Sequence, residues 1–526
     1  MKVAIDVTPI RTTGEMGGAF QLVIELIKGL GERYKDDQYL LLTAEWNHEF
    51  FKSFEEIGME RICVTNVTIS PKSSNVLLKK IIRKAAKILN LNIASLRRRR
   101  LPLLKSKGVD VLFCPMSAVN YKEPGISTVS LIYDLQHEYY PEFFAVDELE
   151  HRKRFYAGIS ELADYITCIS GFTRQTFIEK LNFPSEKTEV IHISIQDRLK
   201  PDDMLTNEIL SKYSLDKTLY AYYPANFWRH KNHRMLLVAF SMFIRKYSDV
   251  EVKLVFTGSL LGQEGMFNDL LKQMGLEDRV YHLGYVEENE VAALMAGAHF
   301  LIFPSLFEGF GIPVVEAMKM GTPVLCSNNT SLPEVGGRAA QYFDPRRPEE
   351  MSDLMYRIIT DIQLRQSSIQ LGYEQIKKFN NDTMVNQYYQ LLNRAARNKS
   401  SKGTLVEGIY EDNWAKRDVL IAFSGNQLDA SIIIEISLPP YVPYKRNKIQ
   451  MTLNDKIKKF SIRAGESLII NERLPQGQSE ISICFSDDFR PADLGMPDQR
   501  ELAAQITKVH LANMVTNVTL KALHGE

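Results

Sequence analysis

The chain has 526 residues, with 64 Lys+Arg against 64 Asp+Glu, 45% hydrophobic and 24% charged. That length implies about three domains, and so ordinary a composition excludes disordered and fibrous classes. Zero net charge argues against a dedicated nucleic-acid binder, so no nucleic-acid partner is expected. Cys63, Cys114, Cys168, Cys326 and Cys484 lie far apart without a CxxC pair. That spacing excludes a disulfide scaffold and a Cys-type zinc site, and fits a reduced cytoplasmic protein.

From residue 1 to about 400, short apolar runs alternate with helical patterns, the signature of parallel βαβ units. The runs at 3–7, 39–42, 109–113, 129–133 and 165–169 predict one series of strands. Those at 219–223, 253–257, 280–283, 300–303 and 323–326 predict a second. The polar stretch 189–201, which contains Pro201, reads as the connection between two doubly wound Rossmann-like domains facing a cleft. These span 1–195 and 196–400, and the last helix is expected to cross back to the first domain. The run 397–403 (RNKSSKG) reads as a linker. Beyond it, strand-like runs at 419–423, 430–438, 448–453, 459–463, 467–470, 480–485 and 507–512 predict an accessory all-β, sandwich-like domain over 404–526.

The richest segment runs from Phe303 through Glu308-Gly309-Phe310-Gly311-Ile312-Pro313 to Glu316. An apolar strand ends at Ser305, a glycine-rich loop follows, and Pro313 favours the first turn of a helix. Such a loop aims free N–H groups and a positive helix end at the cleft, a site for phosphate. Of the two carboxylates, one can accept hydrogen bonds from a sugar and the other from a ribose diol. The stretch Pro224-Ala225-Asn226-Phe227-Trp228-Arg229-His230-Lys231 follows a strand of the same series and offers a cation to a departing diphosphate. In the first domain, Gly17 and Gly18 end a loop that permits close ligand approach. Asp134 and His137, in Tyr133-Asp134-Leu135-Gln136-His137, stand at another strand end, where either can bind or polarise an acceptor hydroxyl or simply brace the loop. Ser170 in SGFTR reads as a helix cap. No HExxH, DxD or P-loop spacing occurs, so the expected metal and cofactor complement is none.

The 303–324 segment, with Leu332-Pro333-Glu334-Val335-Gly336, Val255 to Gly258 and Leu283 to Val286, resembles the family 4 retaining glycosyltransferases of the GT-B fold. The resemblance implies that Glu308 contacts the donor hexose and Glu316 the nucleoside ribose. It further implies that the backbone of Gly309 to Gly311 cradles the diphosphate, with Phe310 and Ile312 among the donor-binding residues. Gly258, and the Tyr285–Val286 loop against the base, complete the donor site. Lys231 matches the family's diphosphate lysine, whereas Asn226 stands where an arginine is usual, which raises the question of whether Arg229 replaces it. The implied activity is metal-independent, retaining transfer of a hexose from a nucleotide sugar to a glycan or lipid-linked hydroxyl. Mannose from GDP-mannose is favoured over a UDP-sugar, in bacterial surface-polysaccharide synthesis. The alternative is a non-catalytic GT-B carbohydrate-binding or scaffold protein.

Two further expectations concern surroundings. Between residues 71 and 109 there are twelve Lys/Arg and no Asp or Glu. At helical periodicity Leu77, Leu78, Ile81, Ile82 and Leu89 separate from Lys79, Lys80, Arg83, Lys84 and Lys87. Such a basic amphipathic face fits docking of 76–107 on an anionic membrane surface, peripherally on the inner face of the cell membrane; the alternative is a surface helix whose apolar half packs on the domain core and whose lysines are only a solvated face. The C-terminal domain is expected to bind glycan or a partner, or to act as a stabilising appendage.

Overall fold

The computed structural model describes residues 1–11, 17–64, 103–194, 198–200, 202–398, 400, 404–409, 413–426, 431–453, 456–474, 477–494, 498, 500–512 and 517–520. The proposed membrane-docking segment falls, up to residue 102, outside the described residues, as does 12–16 of the first glycine loop.

Seven parallel strands form the first sheet: Lys2–Asp6 (β1), Gln38–Thr43 (β2), Met59–Cys63 (β3), Val111–Cys114 (β4), Ser127–Ile132 (β5), Tyr165–Cys168 (β6) and Thr188–Val190 (β7). Their order is β3-β2-β1-β4-β5-β6-β7. Tyr220–Pro224 (β8), Lys253–Thr257 (β9), Val280–His282 (β10), Phe300–Phe303 (β11), Val324–Ser327 (β12) and Gln341–Phe343 (β13) form the second, ordered β10-β9-β8-β11-β12-β13. Both orders reverse beside their first strand, and in open α/β sheets the crevice at that reversal is where ligands bind. β5, β11 and β12 are buried along their whole length; β11 (FLIF) reads as an unbroken apolar run, whereas β5 (STVSLI) and β12 (VLCS) include buried hydroxyl residues.

The long helix Asn381–Arg397 follows the second sheet in sequence but packs on the first. Its Tyr388 ring lies 5.5 Å from Phe113 of β4, and Tyr389 stacks on Tyr34 at 3.5 Å. A Cβ on Gly29 would come within 2.5 Å of Val385, so only glycine lets the helices approach this closely. Just beyond, the Lys122 ammonium is buried with the Asp164 carboxylate at 2.5 Å and Ser400 Oγ at 2.7 Å. This fastens the chain to the first lobe before the third domain begins.

The third domain is one antiparallel sheet of nine strands: Thr404–Ile409 (β14), Trp414–Asn426 (β15), Ser431–Ser437 (β16), Arg446–Leu453 (β17), Lys456–Arg463 (β18), Ser467–Arg473 (β19), Gly477–Phe485 (β20), Ala504–Ala512 (β21) and Asn517–Leu520 (β22). Its main path runs β18-β17-β20-β15-β21-β16-β19. Alternation of buried and half-exposed positions along β16 puts Ile432, Ile434 and Ile436 inside. An ion pair at 2.6 Å between Lys458 of β18 and Glu472 of β19 draws the two ends of that path together, so the sheet curls towards a barrel. Its apolar core is separate from those of the two lobes. Removal of residues 402–526 is therefore expected to leave a soluble protein with cooperative thermal unfolding. Circular dichroism and a melting curve check this, and loss of the transition would show that the lobes need the third domain.

Candidate active site

Three loops at the carboxyl ends of β8, β9 and β10 are knitted together by their backbones. Ala225 N–H donates to Thr257 O at 3.0 Å, Phe227 N–H to Ser259 O at 3.0 Å, and Gly258 N–H to Gly284 O at 2.7 Å. Gly258 has φ +111°, and a Cβ there would lie 2.8 Å from the Ala225 carbonyl. Asn226 accepts a hydrogen bond from Ser259 N–H at 2.8 Å, so this side chain locks the loop. Arg229 reaches the other way, donating to Glu142 O of the first lobe at 3.2 Å. At the mouth, Val286 is buried while the Tyr285 ring is 83% exposed, a flat apolar surface on an anchored backbone.

Lys231 ends a one-turn 3-10 helix, Arg229–Lys231. That turn is pinned by Tyr223 Oη donating to Lys231 O at 2.7 Å and by Leu306 N–H donating to His230 O at 2.7 Å. Asn232, in left-handed conformation at φ +60°, donates from Nδ2 to Pro304 O and Pro345 O. So held, Lys231 Nζ lies 2.6 Å from Glu308 Oε1. Burial, reinforced by the Lys231 charge, pushes His230 down to about 4, so it adds no charge beside the lysine at neutral pH.

The loop carrying Glu308 is fixed through its carbonyls. Ser331 Oγ donates to Glu308 O and Phe310 O, both at 2.9 Å, and Ser170 Oγ of the first lobe donates to Gly309 O at 2.7 Å. In a trans peptide the following N–H points away from the carbonyl, so pinning these oxygens also aims the N–H groups of Gly309, Phe310 and Gly311. Gly311, at φ +104°, then opens the helix Ile312–Lys319, with Pro313 in its first turn. The first N–H groups of a helix lack intrahelical acceptors and carry its positive end.

Glu316 lies inside that helix, 1% exposed. Burial raises its carboxyl, and Arg198, with Nε at 2.8 Å from Glu316 Oε1, opposes the rise. The same guanidinium donates from Nη1 to Glu288 at 2.6 Å.

The first lobe meets this loop directly. A Cβ on Gly309 would stand 2.2 Å from Tyr133 O and 3.1 Å from Asp134 Cβ. Asp134 is held by Gln136 N–H at 3.0 Å, and burial raises its carboxyl, with the nearby Glu308 charge adding to the rise. His137 turns inward, 1% exposed and stacked on Tyr156 at 5.1 Å, and burial shifts its pKa down. Ser170 caps the helix Gly171–Leu181 through Thr173 N–H at 3.1 Å. Glu334 of the second lobe accepts the next free groups, Gly171 N–H at 2.8 Å and Phe172 N–H at 3.3 Å, and also His192 Nε2 at 2.7 Å. Burial alone would raise the Glu334 carboxyl, but these hydrogen bonds outweigh it and hold the group below its usual range. Around them Phe307 packs against Tyr139 at 5.5 Å and Phe172 at 5.8 Å.

The structure thus brings Lys231, Glu308, the Gly309–Gly311 backbone and Asp134 together, with Glu316 one turn into the helix behind the loop. Gly17 and Gly18 open the helix Gly17–Arg33. Arg198 and His192 lie in no motif of the sequence, and Ser331 and Glu334 lie only in the stretch of family resemblance; the partners of the Glu334 carboxylate are more than 140 residues away.

Comparison with known proteins places the chain in a family. The family Glycosyl transferases group 1 matches residues 207–375. The O-antigen chain mannosyltransferase B of Escherichia coli is 30% identical over 260 residues, 48% of this chain and 67% of that protein. The MMP alpha-(1->4)-mannosyltransferase of Mycolicibacterium hassiacum is 35% identical over 119 residues, 22% of this chain and only 28% of that one. The structure of Anabaena Alr3699/HepE in complex with UDP and glucose superposes with TM-score 0.54 at 18% identity, covering 75% of this chain and all of HepE. The chain belongs to the group 1 glycosyltransferases, and its two lobes have the GT-B fold.

Gly309 sets a sharp requirement on the meeting of the lobes. Gly309→Ala is expected to lower kcat/KM at least tenfold with little change in melting temperature, because the added methyl collides with the Tyr133 carbonyl. Steady-state kinetics beside a melting curve check this; full activity would contradict it.

Proposed function

We propose that this glycosyltransferase moves mannose from GDP-mannose to a hydroxyl of a glycan or lipid-linked acceptor, with retention and without a bound metal. The observation that carries the reading is the Lys231–Glu308 pair at 2.6 Å, set beside a glycine loop with pinned carbonyls and a helix N-terminus. Lys231 and the loop N–H groups face the diphosphate, and Glu308 faces the hexose. Glu316 takes the ribose diol, and the Tyr285 loop lies against the base. In the transfer, the acceptor oxygen bonds to the anomeric carbon while the bond from that carbon to the phosphate oxygen breaks. The electron pair goes to the leaving diphosphate, which accepts the hydroxyl proton on the same face. Charge grows on the phosphate as the bond breaks, so a fixed cation there favours the transition state over the ground state. Asp134 stands on the acceptor side of this centre. The mannosyltransferase names of the two relatives support the sugar, and the O-antigen name supports surface polysaccharide as the destination. We place the enzyme at the inner face of the cell membrane, where lipid-linked acceptors are elongated. Among the described residues no helix is long and apolar enough to cross a membrane.

The test is product formation from GDP-mannose, UDP-glucose, UDP-galactose and dTDP-rhamnose with a glycan acceptor, with the anomeric configuration read by proton NMR. GDP-mannose should give the α-linked product, and activity should persist in EDTA. Lys231→Ala and Glu308→Ala should each lower kcat by roughly 10²–10³-fold, as losing one preorganised charge contact does. A β-linked product, a strict Mg²⁺ or Mn²⁺ requirement, or near-normal kcat in both variants would overturn the reading.

A further inference from the structure

Arg198 lies on the connection between the lobes, after β7 and before the helix Asp203–Lys212, yet its guanidinium is spent on two carboxylates of the second lobe. One is Glu316, whose side chain is 2% exposed; the other is Glu288, which opens the helix Glu288–Ala296 directly after the Tyr285 loop. We propose that Arg198 is a donor-positioning residue: it holds Glu316 ionised and oriented through Oε1, leaving the other carboxylate oxygen to the ribose diol of the nucleotide. This rests on the reading of Glu316 as the ribose ligand.

Three observations carry it. First, a carboxylate as buried as Glu316 is costly to keep charged without a partner. Arg198 is its ion-pair partner; the other charges that act on it are Lys319 on its own helix and Glu288, of which Glu288 opposes ionisation. A protonated Glu316 would lose acceptor capacity that two ribose hydroxyls need. Second, the guanidinium is itself immobilised. With Nε on Glu316 at 2.8 Å and Nη1 on Glu288 at 2.6 Å, its planar fork spans two helices, which the point charge of a lysine does not do. The bridge therefore ties the helix behind the base-facing loop to the ribose-facing carboxylate. Third, Leu199 beside it is 1% exposed, so the backbone at this point of the connection is seated in the core.

The experiment compares the affinities of GDP and 2′,3′-dideoxy-GDP by titration calorimetry, and donor KM and kcat, in the full chain. The wild type should bind GDP at least tenfold more tightly than the dideoxy form. Glu316→Gln should erase that preference because the acceptor is impaired. Arg198→Ala should erase it too while Glu316 is still present, raise donor KM about tenfold and leave kcat within threefold, since uniform binding is lost. Arg198→Gln serves if the alanine variant has a lowered melting temperature. A merely structural role for Arg198 would weaken both nucleotides equally and keep their ratio. A retained GDP preference in the Arg198 variants, or a fall in kcat at unchanged KM, overturns the inference while the site reading stands. No preference in the wild type overturns the ribose role of Glu316, and the inference with it.

Discussion

Lys231 and Glu308 face each other at 2.6 Å with side chains 18% and 12% exposed, so water only partly solvates either charge. Removing one partner would strand the other, and the surrounding turn and loop are built to keep both in place. The pair is neutral as a unit, which makes it a device for exchange rather than a standing attraction for anions. On the proposed reading, an arriving diphosphate supplies Lys231 with a new partner and frees the Glu308 carboxylate to accept hydrogen bonds from sugar hydroxyls. Because His230 is held neutral, the remaining positive potential has to come from oriented backbone. This gives the pinned carbonyls of Glu308, Gly309 and Phe310 a chemical purpose beyond loop stability.

The same loop also joins the lobes. Gly309 O takes the Ser170 hydroxyl, and Glu334 fills the N-terminal turn of the helix Gly171–Leu181, where a positive helix end favours a carboxylate. A sugar-facing loop and an interlobe contact built from consecutive residues cannot be varied independently. Asp134, carried on the first lobe, meets the Glu308 loop across this interlobe contact. The Arg198 bridge, by contrast, lies within the second lobe, between the helix that carries Glu316 and the helix that Glu288 opens.

What the sequence made legible was what is local. Glu308, the glycines, Pro313 and Glu316 lie within nine residues, and their order along one strand–loop–helix unit reports their geometry. Wholly apolar strands such as β11 announced themselves by uninterrupted runs. β3 did not, because Glu60 and Arg61 interrupt it, and β7 and β13 are three residues each, too short for any period. The third domain reads as all-β from alternation alone. Alternation says which face is buried but not which strands pair, so the single curled sheet emerges only from the structure. Arg198 illustrates the harder limit. It is one arginine in a polar connection until folding sets it 118 residues away against Glu316. Glu334 likewise gains its meaning from the amide groups of a helix in the other lobe.

Titration of GDP and GDP-mannose into the wild type, Lys231→Met and Glu308→Gln measures the division of labour within the central pair. A lysine on the diphosphate and a glutamate on the hexose predict that Lys231→Met weakens both ligands by a similar factor, while Glu308→Gln weakens GDP-mannose and, by removing the competing carboxylate from Lys231, does not weaken GDP. Equal weakening of both ligands by Glu308→Gln would contradict the account.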